Sequence, residues 1–189
     1  EGGNSMSQKT NVNDLMYAGL FAALTAVLGL VSIPLPFSPV PITGQSLAVM
    51  LAGCVLSVRQ AGYALLTFLL VGAVGVPVFA GGSGGFGIIA GPRGGYLIGY
   101  LLGAMVISYL KGQGKNVWRL ALANIVGGIG VVYVVGVVWL SAVTGMPLSK
   151  ALAVGALPFI PGDLIKVVVA SGLAVALNRQ LCALRGRTA

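Results

Sequence analysis

Six apolar segments divide this chain, and every proline lies in a connection that follows the first, third or fifth of them. If the segments cross a membrane alternately, all the prolines fall on one side of it. Backbone of this irregular kind survives at membrane depth only where it is buried in protein or lines a cavity. The pattern therefore predicts a small-molecule site that opens to one face. The prolines are Pro34, Pro36, Pro39, Pro41, Pro77, Pro92, Pro147, Pro158 and Pro161.

A transmembrane helix needs about 20 apolar residues. The six segments run over about 15–33, 45–58, 62–76, 94–110, 117–143 and 162–184. The second and third are shorter than a full crossing. The sequence predicts an all-α membrane protein, a compact bundle of six transmembrane helices in one domain over residues 6–189. Residues 1–5 (EGGNS) precede Met6 and are interpreted as the remnant of an artificial leader.

Composition and charge agree with a membrane protein. The chain is 57% hydrophobic and 7% charged, whereas soluble domains carry about 25% charged residues. The net charge of +8 is assigned to topology and anionic lipid, with no nucleic-acid partner. Eight cations fall on one face and three on the other, which predicts cytoplasmic termini. The first face receives Lys9, Arg59, Lys111, Lys115, Arg119, Arg179, Arg185 and Arg187, and the second receives Arg93, Lys150 and Lys166.

The chain lacks the residues that several kinds of chemistry require. There is no His and there are only two Cys, so neither a zinc site nor His-based catalysis is expected. No GxxxxGK[ST] phosphate loop occurs. Without a nucleophile–base pair or paired carboxylates, the chain is not expected to be an enzyme or to hold a cofactor or metal.

Three segments on the proline-bearing face carry polar groups suited to a ligand. The first ends at Gln45, and the second, a glycine-rich stretch, leads to Arg93 and Tyr96. The third holds Asp163 and Lys166, three residues apart at the start of the last helix. An acceptor carboxylate suits a ligand with N–H donors, and a guanidinium suits a ligand carboxylate.

Each of these features also has a structural interpretation. Arg93 could anchor its helix at the lipid headgroups. Asp163 and Lys166 could form a self-satisfying pair that caps the helix. The glycine-rich stretch could be a flexible lid or close-packed backbone. Against the cap stands the rarity of Asp in membrane spans, where it usually faces a cavity.

Small residues recur every fourth position on two segments. Gly95, Gly99 and Gly103 predict a flat ridge for a neighbouring helix. Ala18, Ala22 and Ala26 form a similar stripe on the first segment, which Gly19 and Ala23 widen. That stripe either packs inside the bundle or docks another protein.

Three motifs in order, SPVPITGQ at 38–45, GPRGGYLIG at 91–99 and PGDLIK at 161–166, resemble the signature of the BioY family. These are the biotin-binding S components of energy-coupling-factor transporters. The resemblance implies a six-helix bundle in a prokaryotic cell membrane with an extracytoplasmic vitamin site. It implies as partners a transmembrane coupling subunit and two ATPase subunits. It also implies biotin contacts at Gln45, Arg93, Tyr96, Asp163 and Lys166, and docking of the coupling subunit by the stripe Ala18, Ala22 and Ala26.

The leading hypothesis is therefore a non-catalytic subunit that captures biotin and delivers it with an ATP-driven module. The alternative is a stand-alone secondary transporter of biotin or a similar small carboxylate, with Asp163 coupling transport to protons.

Overall fold

The computed structural model describes residues 12–185, with side chains as far as Leu181. Residues 1–5, interpreted above as a remnant, lie outside it. The elements in chain order are α1 (Val12–Leu30), β1 (Ser32–Leu35), β2 (Ser38–Thr43), α2 (Gln45–Val55), α3 (Val58–Ala73), α4 (Phe86–Ala90), α5 (Gly94–Leu110), α6 (Val117–Ala123), a π-helical segment (Asn124–Val131), α7 (Val132–Thr144), α8 (Leu148–Gly155) and α9 (Ile160–Arg185).

Within the described residues, three helical runs are long and apolar enough to span a membrane: Val12–Leu30, Val117–Thr144 and Ile160–Leu181. The other predicted spans correspond to the shorter apolar helices α2, α3 and α5. Large apolar side chains remain exposed on the surface, among them Val74 and Val168, as lipid contact requires. The chain is a mostly helical membrane protein.

The expectation of an all-α chain needs one correction, because the proline-rich segment forms a β-hairpin. Strands β1 and β2 pair antiparallel, with Ile33 opposite Ile42 and Ser32 opposite Thr43. Pro39 and Pro41 occupy alternate positions in β2, so both of their backbone nitrogens, which carry no hydrogen, can face the unpaired edge of the strand. In a two-stranded sheet both strands have such an edge, which is why the pairing tolerates them.

The glycine-rich stretch is close-packed rather than a loose lid. Phe79, two residues before its first glycine, is 1% exposed and packs edge-on against Phe68, with ring centroids 5.4 Å apart. The backbone N–H of Gly81 donates to the carbonyl of Gly29 on α1 (2.9 Å). Gly81 has a φ of 69°, a left-handed conformation that favours glycine. The stretch is therefore fixed against the end of α1.

The predicted glycine ridge on α5 is confirmed. A Cβ on Gly95 would lie 2.2 Å from the Cβ of Trp139, and one on Gly99 would lie 3.0 Å from the Cα of Val132. One on Gly103 would lie 2.5 Å from the carbonyl oxygen of Gly127. The ridge lets α5 approach the π-helical segment and α7 at backbone distance, the form of helix contact that small residues allow in membranes.

The alanine stripe on α1 points mostly into the bundle. Ala18 is 3% and Ala22 is 8% exposed, and both belong to the buried cluster that includes Ala64 of α3. Ala26 is half-buried. This placement favours the packing interpretation for Ala18 and Ala22. Docking by the stripe stays a prediction, and the exposed small residues beside it are Gly19 and Ala23.

The fifth predicted span contains an irregularity that the sequence did not indicate. Residues Asn124–Val131 form a π-helix between α6 and α7. Asn124, at its start, is fully buried; its Nδ2 donates to the Oγ of Ser171 on α9 (3.1 Å), and its Oδ1 accepts from the Sγ of Cys54 on α2 (3.4 Å). A π-helical turn contains more residues than an α-helical turn, so the side chains after it are rotated about the helix axis. The segment therefore sets which side chains of α7 face the bundle.

Candidate functional site

Asp163 is the centre of a buried polar cluster at the start of α9. Its side chain accepts at both oxygens: Oδ1 from the Nζ of Lys166 (2.9 Å) and the Oγ of Ser46 (3.1 Å), and Oδ2 from the hydroxyl of Tyr133. The residue is 5% exposed. Three helices, α2, α7 and α9, thus converge on one carboxylate.

Lys166 uses all three of its N–H donors within the protein. Besides Asp163, its Nζ donates to the Oγ of Ser46 and to the backbone carbonyl of Thr43, both at 2.8 Å. The Thr43 contact fastens the end of the β-hairpin to α9. Because an ammonium has three hydrogens, Lys166 must give up a protein partner before it can bind a ligand directly.

Two adjacent cavities lie beneath the hairpin and share a wall formed by Val40, Pro41, Thr43, Tyr96 and Tyr100. The first is bordered by Asp163 and Lys166. The second is bordered by Gln45 and Arg93. One compartment therefore offers a carboxylate with its cation, and the other offers a guanidinium.

Arg93 reaches across to the hairpin. Its Nε donates to the backbone carbonyl of Pro39 (3.2 Å). Its terminal nitrogens make no hydrogen bond to any residue of the described part of the chain, so the fork remains available to a ligand anion. Nearby, the Nε1 of Trp139 donates to the carbonyl of Gly91 (3.0 Å) and fixes the loop that carries the arginine.

The five predicted site residues all line one of the two cavities, and Tyr96 lines both. The Tyr96 hydroxyl donates to the Gly155 carbonyl (2.8 Å), and the Gln45 side chain donates to the Val78 carbonyl (3.2 Å). These two side chains support the walls through bonds to backbone. Neither leaves its bonded hydrogen free for a ligand.

Sequence reasoning missed part of the cluster. Tyr133 was not considered, although a lone tyrosine within the apolar run 131–138 is far from the interfacial position that tyrosine usually takes in membrane helices. Ser46 was not among the predicted site residues. Its hydroxyl donates to Asp163 and accepts from Lys166, which joins the two charges.

The fold and the cavities define a class of protein: a small helical membrane protein with a candidate small-molecule site at one end of its bundle. The BioY family model matches residues 6–183, and the chain belongs to that family. It is 46% identical over 170 residues to the biotin transporter BioY of Rhizobium etli, covering 85% of this chain and 90% of that protein. It is 42% identical over 168 residues to that of Thermotoga maritima, covering 89% and 97%.

A solved structure matches over almost the whole fold. It is the crystal structure of the S-component for biotin from an ECF-type ABC transporter, with a TM-score of 0.83 and 32% identity. The match covers 93% of this chain and 95% of that one. Transporters and a transport subunit, rather than enzymes, are thus what this chain is similar to, in agreement with the expectation that it is not an enzyme.

Proposed function

We propose that this protein is the biotin-binding S component of an energy-coupling-factor transporter, which captures biotin at the extracytoplasmic side. The observation that carries the proposal is the pair of adjoining cavities. Biotin has a ureido ring with two N–H groups at one end and a carboxylate at the other. Asp163 borders one compartment as an acceptor, and Arg93 borders the other as a cation.

This arrangement supports one orientation of the ligand. The ureido end lies against Asp163, where an N–H donor meets a carboxylate oxygen, and the valerate carboxylate lies against Arg93. Tyr96 and Tyr100, which line both cavities, flank the apolar middle of the molecule. The bond between Asp163 and Lys166 favours a fixed recognition role over the proton-carrier role of the alternative hypothesis.

Titration of the purified, detergent-solubilised protein with biotin tests the proposal. We expect saturable binding with one biotin per chain and none with a neutral aliphatic amide of similar size. Denaturing the protein as purified and analysing the released small molecules by mass spectrometry is a second test. Failure to bind biotin in protein shown to be folded would contradict the proposal.

The role of Arg93 gives a sharper prediction. In Arg93→Met the apolar stem remains and the fork is lost. We expect biotin to bind about tenfold or more weakly, because a hydrogen bond to a charged group contributes roughly 1.5–3 kcal/mol. Biotin amide lacks the carboxylate anion, so its affinity should fall much less in the variant. The measurement is the ratio of the two dissociation constants in wild type and variant. If the variant keeps the wild-type ratio, Arg93 only anchors its helix.

Membrane placement and partners complete the proposal. The chain is expected to cross a prokaryotic cell membrane six times with both termini cytoplasmic. A transmembrane coupling subunit and two ATPase subunits are its proposed partners, with energy supplied outside this chain. What supports this is membership of the BioY family and similarity to an S-component from an ECF-type ABC transporter.

A further inference from the structure

The Asp163 oxygens differ in how they are bonded. Oδ1 accepts from Ser46 and Lys166, which also bond to each other, so that oxygen is fixed by a closed ring of contacts. Oδ2 accepts from a single described group, the hydroxyl of Tyr133. A ligand N–H can therefore reach Oδ2 with the least disturbance to the protein, and the group it disturbs is Tyr133.

Tyr133 is held in place independently of any ligand. It is the second residue of α7 and follows the π-helical segment, whose first residue, Asn124, is bonded to Ser171 of α9. Ser171 and Asp163 lie eight residues apart on α9, on the same helix face. The bond between Asn124 and Ser171 holds the start of the π-helical segment against α9, and a ligand at Asp163 does not replace it. Tyr133, at the other end of the segment, lines the cavity that Asp163 borders.

We propose that Tyr133 is a specificity-determining residue for the ureido end of the ligand, an inference that rests on the proposed function. Its hydroxyl, which donates to Asp163 in this structure, donates to the ureido carbonyl oxygen when a ligand N–H takes Oδ2. A phenol hydrogen turns about the C–O bond, so the exchange needs no backbone movement. The carbonyl oxygen and the N–H groups of a ureido ring share one carbon, which places the new acceptor close to the old one.

Two other donors around this cavity, Tyr96 and Lys166, are engaged with protein groups. Tyr96 is bonded to the Gly155 carbonyl. Lys166 has three protein partners. Tyr133 alone among these donates to the very oxygen that the ligand takes. It is therefore the hydroxyl that ligand binding releases.

The test compares biotin with 2-thiobiotin, in which sulfur replaces the ureido oxygen while both N–H groups remain. Sulfur is a weaker acceptor, so wild-type protein should prefer biotin by about tenfold, the value of one hydrogen bond. In Tyr133→Phe we expect that preference to fall to about twofold or less. Tyr109→Phe is the matched control, because Tyr109 is 79% exposed and lines neither cavity. It should keep the wild-type ratio.

Two results would overturn the inference. One is a Tyr133→Phe protein that binds both ligands more weakly by the same factor, since Tyr133 would then only position Asp163. The other is equal affinity of the wild-type protein for biotin and 2-thiobiotin. This measurement does not depend on whether the variant folds. Wild type that binds neither ligand would instead contradict the proposed function itself.

Discussion

Replacing Asp163 with Asn is expected to weaken biotin binding by about 100-fold or more. The amide keeps the size of the side chain but removes its charge, and it offers one acceptor oxygen where the carboxylate offers two. A hydrogen bond to a charged group contributes roughly 1.5–3 kcal/mol. The variant also leaves the Lys166 ammonium, whose side chain is 19% exposed, without its counter-ion. A combined loss of about 3 kcal/mol corresponds to the stated factor.

Asp14→Asn is the matched control for this experiment. Asp14 is the other carboxylate in the described part of the chain; it accepts from the Nε2 of Gln60 (2.6 Å) where α1 and α3 begin, away from the cavities. Isothermal titration of both variants separates recognition from a general effect of lost charge. Equal affinity in wild type and Asp163→Asn would reduce the Asp163–Lys166 pair to a cap on α9.

The second large effect is expected from tryptophan on α1. Ala22 is 8% exposed and lies in the buried cluster between α1 and α3. Overpacking a core costs about 1–3 kcal/mol for small additions, and an indole is far larger than those. Ala22→Trp should therefore destabilise the protein by more than about 3 kcal/mol and lower the yield of folded protein. The measurement is the thermal unfolding temperature in detergent.

The neighbouring position separates packing from docking. Ala23 is exposed on the same helix, so Ala23→Trp should unfold at the wild-type temperature and bind biotin normally. If α1 docks the coupling subunit through its exposed small residues, co-purification with that subunit should be lost. A stable Ala22→Trp protein that binds biotin but no longer assembles would instead restore the docking role predicted for Ala18, Ala22 and Ala26.

The sequence predicted the main helices because their signals are local. The bounds of α5, Gly94–Leu110, agree with the predicted segment 94–110, since glycine and charge mark its two ends. The start of α3 was predicted at about residue 62, whereas the helix begins at Val58. Ser57 and Gln60 form a capping box there, so the turn after α2 needs only Leu56 and Ser57. The β-hairpin was missed because its prolines were interpreted as irregular backbone rather than as an alternating edge strand.

By itself, the sequence determined the membrane class, the ridge on α5 and five of the residues that line the cavities. Apolar length, small-residue spacing and isolated charge are properties of short stretches of chain. Only the tertiary structure decided that Lys166 has no donor to spare, that Ala18 and Ala22 face inward, and that Tyr133 meets Asp163. These outcomes depend on the rotation of each helix about its axis. That rotation is set by contacts between residues 30 to 120 positions apart, and at Tyr133 by a π-helical segment without a local signal.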